Sequence, residues 1–299
     1  METGILIVHP GALGDVLQAV PALRGLRAAV PGATLVFAGQ PRIGRLLVAL
    51  DVVSEARGFD SLGLEMLFTD EPLPESLIRF AARFERIVSW FASHDPRYRA
   101  RLATLARDVV VASPLPDDET PVWRHLAATL QPWAVAVLDT PAALRVAAAP
   151  ATRGPLVVHP GAGGAWKQWP VERFAEVIAA VTAHRTLPVV VHQGPADAAA
   201  AGALLSRIGR VAERLVEPEL TALAHVLAGA RAYLGGDSGV SHLAAAVGAP
   251  SVILFPPATR RRWAPWSPTA VSLTMTGEPG EATAVARELE RLLAPPARH

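Results

Sequence analysis

The chain has 299 residues, 51% hydrophobic and 18% charged, with a formal net charge of +1 and no cysteine. That composition suits a packed globular protein with room for two domains of about 100–200 residues each, and argues against disorder. The missing cysteines exclude a disulfide scaffold and thiol chemistry, and the balanced charge gives no general case for nucleic-acid binding.

Met1 to Val8 lacks the basic start and cleavage site of a secretory signal and reads as a first buried strand. Apolar β-branched runs then alternate with amphipathic segments, the pattern of βαβ units around a parallel sheet. In the first half, strands are expected at Ile5 to His9, Ala33 to Ala38, Val52 to Ala56, Arg86 to Trp90 and Val109 to Ala112. Helices are expected at Val16 to Val30, Pro41 to Leu50, Glu75 to Phe84 and Arg97 to Arg107. The second half offers strands at Leu156 to His159, Pro188 to His192, Arg214 to Glu217, Ala232 to Gly235 and Ser251 to Phe255. Its helices are Val171 to Ala183, Ala196 to Ile208, Leu220 to Ala228 and Val240 to Val247. A last helical pattern, Glu281 to Leu293, is expected to pack back on the first domain. No apolar run requires a membrane span.

The chain nearly repeats itself. Ile5 to Ala12 reads ILIVHPGA and Leu156 to Ala162 reads LVVHPGA, so a buried strand enters His-Pro-Gly-Ala twice. Two similar domains follow: 1–145, then 146–280, with 281–299 as the returning helix and Asp139 to Pro155 as the linker. The expected fold is α/β, two Rossmann-like doubly wound domains facing a cleft where ligand lies at the strand ends.

Of the 28 lysines and arginines only Lys167 is a lysine. In so arginine-rich a chain it reads as chosen for a compact, flexible ammonium that a flat guanidinium does not replace, the alternative being a lysine left by drift in a surface loop. It follows Gly161, Gly163 and Gly164 in a turn where backbone amides can approach an anion. Gly11-Ala12-Leu13-Gly14-Asp15 opens the first helix, where Asp15 reads equally as a general base or as a helix N-cap.

Gly235-Gly236-Asp237-Ser238-Gly239 passes from a strand into a helix, so the amides near Ser238 and Gly239 suit phosphate oxygens, with His242 one turn on. Asp237 beside such a site reads first as a capping or loop-organising residue. Ser238 lacks the spacing of a nucleophile elbow, and no dinucleotide fingerprint is present. Arg260-Arg261-Arg262 with Trp263 and Trp266 reads as a phosphate or sugar surface or as a solvated turn. Arg97, Arg99, Arg101 and Arg107 read as a solvated face or as one for an anionic acceptor.

These motifs, in this order, resemble glycosyltransferase family 9, the heptosyltransferases of lipopolysaccharide core assembly. The likeness is carried by Gly14-Asp15-Val16-Leu17, His159-Pro160-Gly161-Ala162, Lys167-Gln168-Trp169-Pro170, Arg173-Phe174, Gly236 to Ala246 and Phe255-Pro256-Pro257-Ala258-Thr259. It implies a glycosyltransferase-B architecture and inverting, metal-independent transfer of a heptose-like sugar from an ADP-activated donor to a lipid-linked or core saccharide. No cofactor is implied beyond the donor substrate, ADP-heptose.

By the same resemblance Asp15 matches the base and Lys167 the lysine on the donor phosphate. Asp237, Ser238, Gly239 and His242 match the block around the diphosphate and its sugar, with Gly161 and Gly163 in the turn before the lysine. A cytoplasmic location is expected, with attachment to the inner face of the membrane left open. The alternatives are a non-catalytic nucleotide-sugar-binding protein of the same fold and, disfavoured by the absent fingerprint, a nicotinamide-dependent dehydrogenase. Where relatives place a glutamate for the nucleotide, this chain offers only Asp197.

Overall fold

The computed structural model describes residues 4–146, 154–209 and 212–294. They form two compact units, Met1–Thr140 and Pro141–His299. The boundary falls earlier than the expected 145/146 because the chain after Pro141 already lies on the second unit. Leu144 donates its amide to the carbonyl of Ala246 at 2.8 Å, and the Ala143 methyl packs over Gly248. Part of the expected linker, 147–153, lies outside the described residues.

The first unit holds five parallel strands: β1 (Gly4–Val8), β2 (Thr34–Gly39), β3 (Glu55–Gly58), β4 (Arg86–Ser89) and β5 (Asp108–Val111), in the order β3-β2-β1-β4-β5. All of β1 is buried, as expected of a central strand covered on both faces. The expected helix from Val16 splits into α1 (Leu13–Gln18) and α2 (Val20–Ala29), because Pro21 has no N–H to continue the ladder and instead starts a second helix. The strand expected at Val52 begins three residues later, at Glu55. Val52 and Val53 are buried in the turn after α3 (Pro41–Ala49), with both amides donated to Leu47 O and Asp51 left-handed at φ 53°. Two short helices, α4 (Glu75–Ala81) and α5 (Pro96–Leu102), stop before the expected ends, and α6 (Val122–Ala128), not expected, supplies buried Val122, Trp123 and Leu126.

The second unit repeats the plan with one more strand. Its strands are β6 (Leu156–His159), β7 (Val189–Gln193), β8 (Ala212–Val216), β9 (Ala232–Gly236), β10 (Ser251–Phe255) and β11 (Ala270–Thr274), all paired in parallel in the order β11-β10-β9-β6-β7-β8. The helices are α7 (Val171–Thr182), α8 (Ala198–Ile208), α9 (Leu220–Ala228), α10 (Gly239–Ala246), the single turn α11 (Arg260–Trp263) and α12 (Glu281–Leu293). Each unit therefore has its first strand in the middle, and the order reverses beside it, between β1 and β4 and between β6 and β9. In open α/β sheets ligands bind outside the strand carboxyl ends at that reversal. The two His-Pro-Gly-Ala turns leave β1 and β6 there.

The last helix has its apolar face in the core of the second unit. Val285, Ala286, Leu289 and Leu293 of α12 are buried in one core with Phe174, Val177, Ile178 and Val181 of α7, so α12 belongs to the second unit. Its apolar stripe at spacings of three and four is long enough to cover that helix. Leu289→Ala should cost about 2–5 kcal/mol. Hydrogen exchange should then show lost protection in α7 and β10 and none in β1 or β2; loss confined to the first unit would contradict this packing.

Candidate functional site

In the second unit, β6 ends at buried His159 and the chain turns through Pro160 and Gly161. A Cβ at Gly161 would stand 2.1 Å from Oδ1 of Asp197, so glycine is required by the protein's own carboxylate. Gly163, by contrast, has nothing within 4 Å of an added Cβ, and its backbone is open to a ligand. A 3-10 turn, Ala165–Lys167, closes with the Lys167 amide donated to Gly164 O at 3.0 Å. Beside it, β9 ends in Gly235 and Gly236. The Tyr233 hydroxyl fills the space of a Gly235 side chain and bonds Ser241 at 2.8 Å.

Ser238 caps α10, its Oγ accepting from the Ser241 amide at 3.3 Å. The amides of Gly239 and Val240 are the first two of the helix and have no intrahelical acceptor. Of the two roles expected of Asp237, capping falls to Ser238, and Asp237 ties its loop to the lysine turn. It lies 4% exposed, with Oδ2 2.9 Å from Lys167 Nζ. The approach is off the line of a hydrogen bond, so this is an ion pair, and Oδ2 has no hydrogen-bond partner among the described residues.

Two indoles complete the surroundings of the ammonium: Nζ lies 5.3 Å from the Trp166 ring centre and 5.9 Å from that of Trp263. Trp166 is 63% exposed, whereas the Lys167 side chain is only 21% exposed. Cation–π contacts of this kind contribute about 0.5–1 kcal/mol each at open sites.

Sequence reasoning gave no role to Trp166 and left Trp263 undecided. The Arg-Arg-Arg-Trp run carried the signal for Trp263; that it folds as α11 beside Lys167 was not visible. His242 is buried against Phe255, ring centres 6.5 Å apart. Burial holds its imidazole well below 6.5, the Asp237 charge opposing and the Lys167 charge adding, so it is neutral at pH 7.

Asp197, the carboxylate offered for the nucleotide, turns instead onto its own fold. Its Oδ2 is 3.7 Å from His159 Nε2, and His159 Nδ1 is 3.0 Å from His192 Nδ1, so one ring nitrogen must donate and the other accept. Burial lowers both imidazoles from 6.5 to about 4 and raises the Asp197 carboxyl.

In the first unit, β1 runs into His9, whose Nδ1 accepts the Gly11 amide at 3.3 Å and whose burial also lowers it to about 4. Gln40 ties this turn down, donating to Gly11 O at 3.1 Å. Asp15 is the third residue of α1 and not its cap, which is Ala12; its Oδ2 accepts the Ala12 amide at 2.9 Å, and this orients the half-buried carboxylate at the helix start. The stretch offered for an anionic acceptor is partly structural. Arg97 donates to Phe68 O at 3.0 Å and pairs with Asp70, and Arg101 donates to Glu71 O.

Among the described residues no group of three or more His, Asp or Glu is placed to hold a metal, and no helix is long and apolar enough to cross a membrane.

Residues 116–291, which include the whole lysine turn and the Asp237 block, match the family model described as glycosyltransferase family 9 (heptosyltransferase). The chain belongs to that family. Over 119 residues it is 33% identical to lipopolysaccharide heptosyltransferase 3 of Escherichia coli, covering 38% of this chain and 34% of that protein, so it spans about a third of that curated relative's length. Among solved structures it is similar to E. coli ADP-heptose lipopolysaccharide heptosyltransferase II, with a TM-score of 0.74, 21% identity and 98% of each chain covered. E. coli heptosyltransferase WaaC with ADP gives 0.72 and 17%, covering 97% of this chain and 100% of that one. A family 9 glycosyl transferase from Veillonella parvula gives 0.72 and 16%, covering 97% of each. At these identities what is shared is the fold, an α/β protein of two parallel-sheet domains as in the glycosyltransferase-B class.

The buried histidines of this family 9 chain make its stability depend on pH. Each has a folded pKa below its unfolded value of 6.5, so between 6.5 and about 4 the unfolded chain binds more protons and stability falls as pH falls. The loss reaches at most about 1.4 kcal/mol per pH unit per imidazole. Urea denaturation at pH 7, 6 and 5 should show the second unit, with His159, His192 and His242, weakening more steeply than the first, with His9. His159→Gln should flatten the slope; equal stability at pH 7 and 5 would refute it.

Proposed function

We propose that the chain is an inverting glycosyltransferase that moves a heptose-like sugar from an ADP-activated donor to a lipid-linked or lipopolysaccharide core saccharide. The observation that carries this reading is the meeting of Lys167 and the Asp237-Ser238-Gly239 turn at the sheet reversal of the second unit. Family membership and the printed names of the relatives, which specify ADP and ADP-heptose, support the donor class.

In the reaction the acceptor hydroxyl attacks the anomeric carbon of the donor sugar. A carbon–oxygen bond forms on one face as the bond to the phosphate oxygen breaks on the other, its electron pair leaving with ADP. Asp15 takes the hydroxyl proton, so the acceptor oxygen becomes neutral as it bonds. Negative charge grows on the leaving diphosphate, where Lys167 and the amides of Gly239 and Val240 receive it. These groups act without a metal ion. Asp237, through Oδ2, holds the ammonium in place before the donor arrives. Neutral His242 adds no second charge and can offer a hydrogen bond.

Three measurements test the assignment. Asp15→Ala should lower transfer about 10²–10⁴-fold while ADP affinity by calorimetry stays within about twofold of wild type; undiminished turnover would defeat the base. Lys167→Arg should lower transfer about 10²-fold, as for loss of a preorganised donor, and wild-type rates would show that any cation serves. EDTA should leave the rate of the untreated enzyme unchanged; loss restored by a divalent cation would overturn the metal-free step.

A further inference from the structure

The turn that carries Lys167 is thinly held by its own bonds. Lys167 and Gln168 each close a one-turn hydrogen bond, Gly163 is open, and Trp166 stands largely in solvent. Two residues beyond Lys167 the situation changes. Trp169 is 2% exposed, packs edge-on to Phe174 at 4.9 Å, and donates its indole N–H to Oε2 of Glu281 at 2.9 Å.

Glu281 is the first residue of α12 and is 8% exposed. The same Oε2 accepts from Arg173 in the first turn of α7, and Oε1 accepts the Thr276 amide. The other arm of Arg173 donates to Gly277 O at 2.7 Å. A carboxylate this buried persists only when its charge is paired and its lone pairs are filled. Here both are met by three separate segments: the turn after Lys167, the start of α7, and the loop from β11 to α12. Arg173 compensates the charge, so the Trp169 bond is not needed for neutrality and is left as the link to the lysine turn.

We infer that Glu281 is a positioning residue for Lys167: through Trp169 it fixes the stem of the turn, so that the ammonium meets Asp237 and the leaving diphosphate at one place. This rests on the reading of Lys167 as the diphosphate-binding cation. Outer residues that orient a binding group are typically worth about 10–100-fold in affinity or rate where this has been measured at metal sites.

Because Lys167 is the only lysine, lysine labelled with carbon-13 and nitrogen-15 gives a single side-chain NMR signal, shifted by the rings of Trp166 and Trp263. Trp169→Phe removes the indole N–H but keeps an aromatic ring in the core, and Glu281→Gln removes the charge. In both, thermal melts should show a folded protein, the Lys167 signal should move toward that of free lysine, and the Kd for ADP should rise about tenfold. Leu289→Ala, which weakens the same helix away from the turn, should leave the Lys167 signal in place. An unmoved signal in Trp169→Phe overturns the inference, as does an equal shift in Leu289→Ala. If Glu281→Gln does not fold, Trp169→Phe decides alone. The NMR readout needs no ligand, so failure of the wild type to bind ADP would count against the proposed function and not against Glu281.

Discussion

The pairing of Lys167 with Asp237 sets the chemistry of the second unit. The two residues follow neighbouring strands, β6 and β9, and each would be a liability alone. A carboxylate 4% exposed beside a helix start would repel any anion the helix attracts. An unpaired buried charge also costs several kcal/mol. With the ammonium 2.9 Å away the carboxylate is compensated, and the field of the α10 amides is available to a phosphate. The sheet makes this pairing: β6 and β9 are adjacent in the order, so turns 70 residues apart in sequence leave the same edge side by side.

The repeated His-Pro-Gly-Ala turn shows which part of each unit is scaffold. In both copies a buried strand runs into a histidine that is 2% exposed and kept neutral by burial, followed by a turn tied to its own sheet. After that the copies diverge. The first enters α1 directly and puts Asp15 in its first turn, while the second inserts a glycine-rich loop and a 3-10 turn before α7. An acid at a helix start and an ammonium on a loop are opposite solutions, built on one backbone plan.

Much of this was legible in the sequence, for identifiable reasons. Central strands such as β1, β6 and β10 are unbroken apolar runs, and the lone lysine and the Gly-Asp-Ser-Gly block mark the turns after β6 and β9, whereas Asp15 at a helix start suits a base or a cap equally. Two of the edge strands were harder to read: β11 is a half-buried AVSLT, and β3 uses Glu-Ala-Arg-Gly, because a strand paired on one side needs no apolar run. Val52 and Val53 misled because burial and not strand pairing explains them. The place of α12 could not be read because an apolar stripe states that a helix is covered and not by what. Trp263 and the Asp197 contact with His159 depend on where distant turns meet, which no local pattern contains.

The contrast between lysine and arginine in this chain follows from how each binds. Arg173 holds Glu281 with one arm and Gly277 with the other, a two-pronged grip that fixes three segments. Such forks suit joints that stay closed. The ammonium of Lys167 meets Asp237 at one oxygen, off the hydrogen-bond line, between two indole faces that hold it without consuming its donors. Its three N–H groups can therefore turn toward an arriving anion while the charge still compensates the carboxylate. A chain whose other lysine-or-arginine positions are all arginine has its one lysine between a buried carboxylate and two indoles.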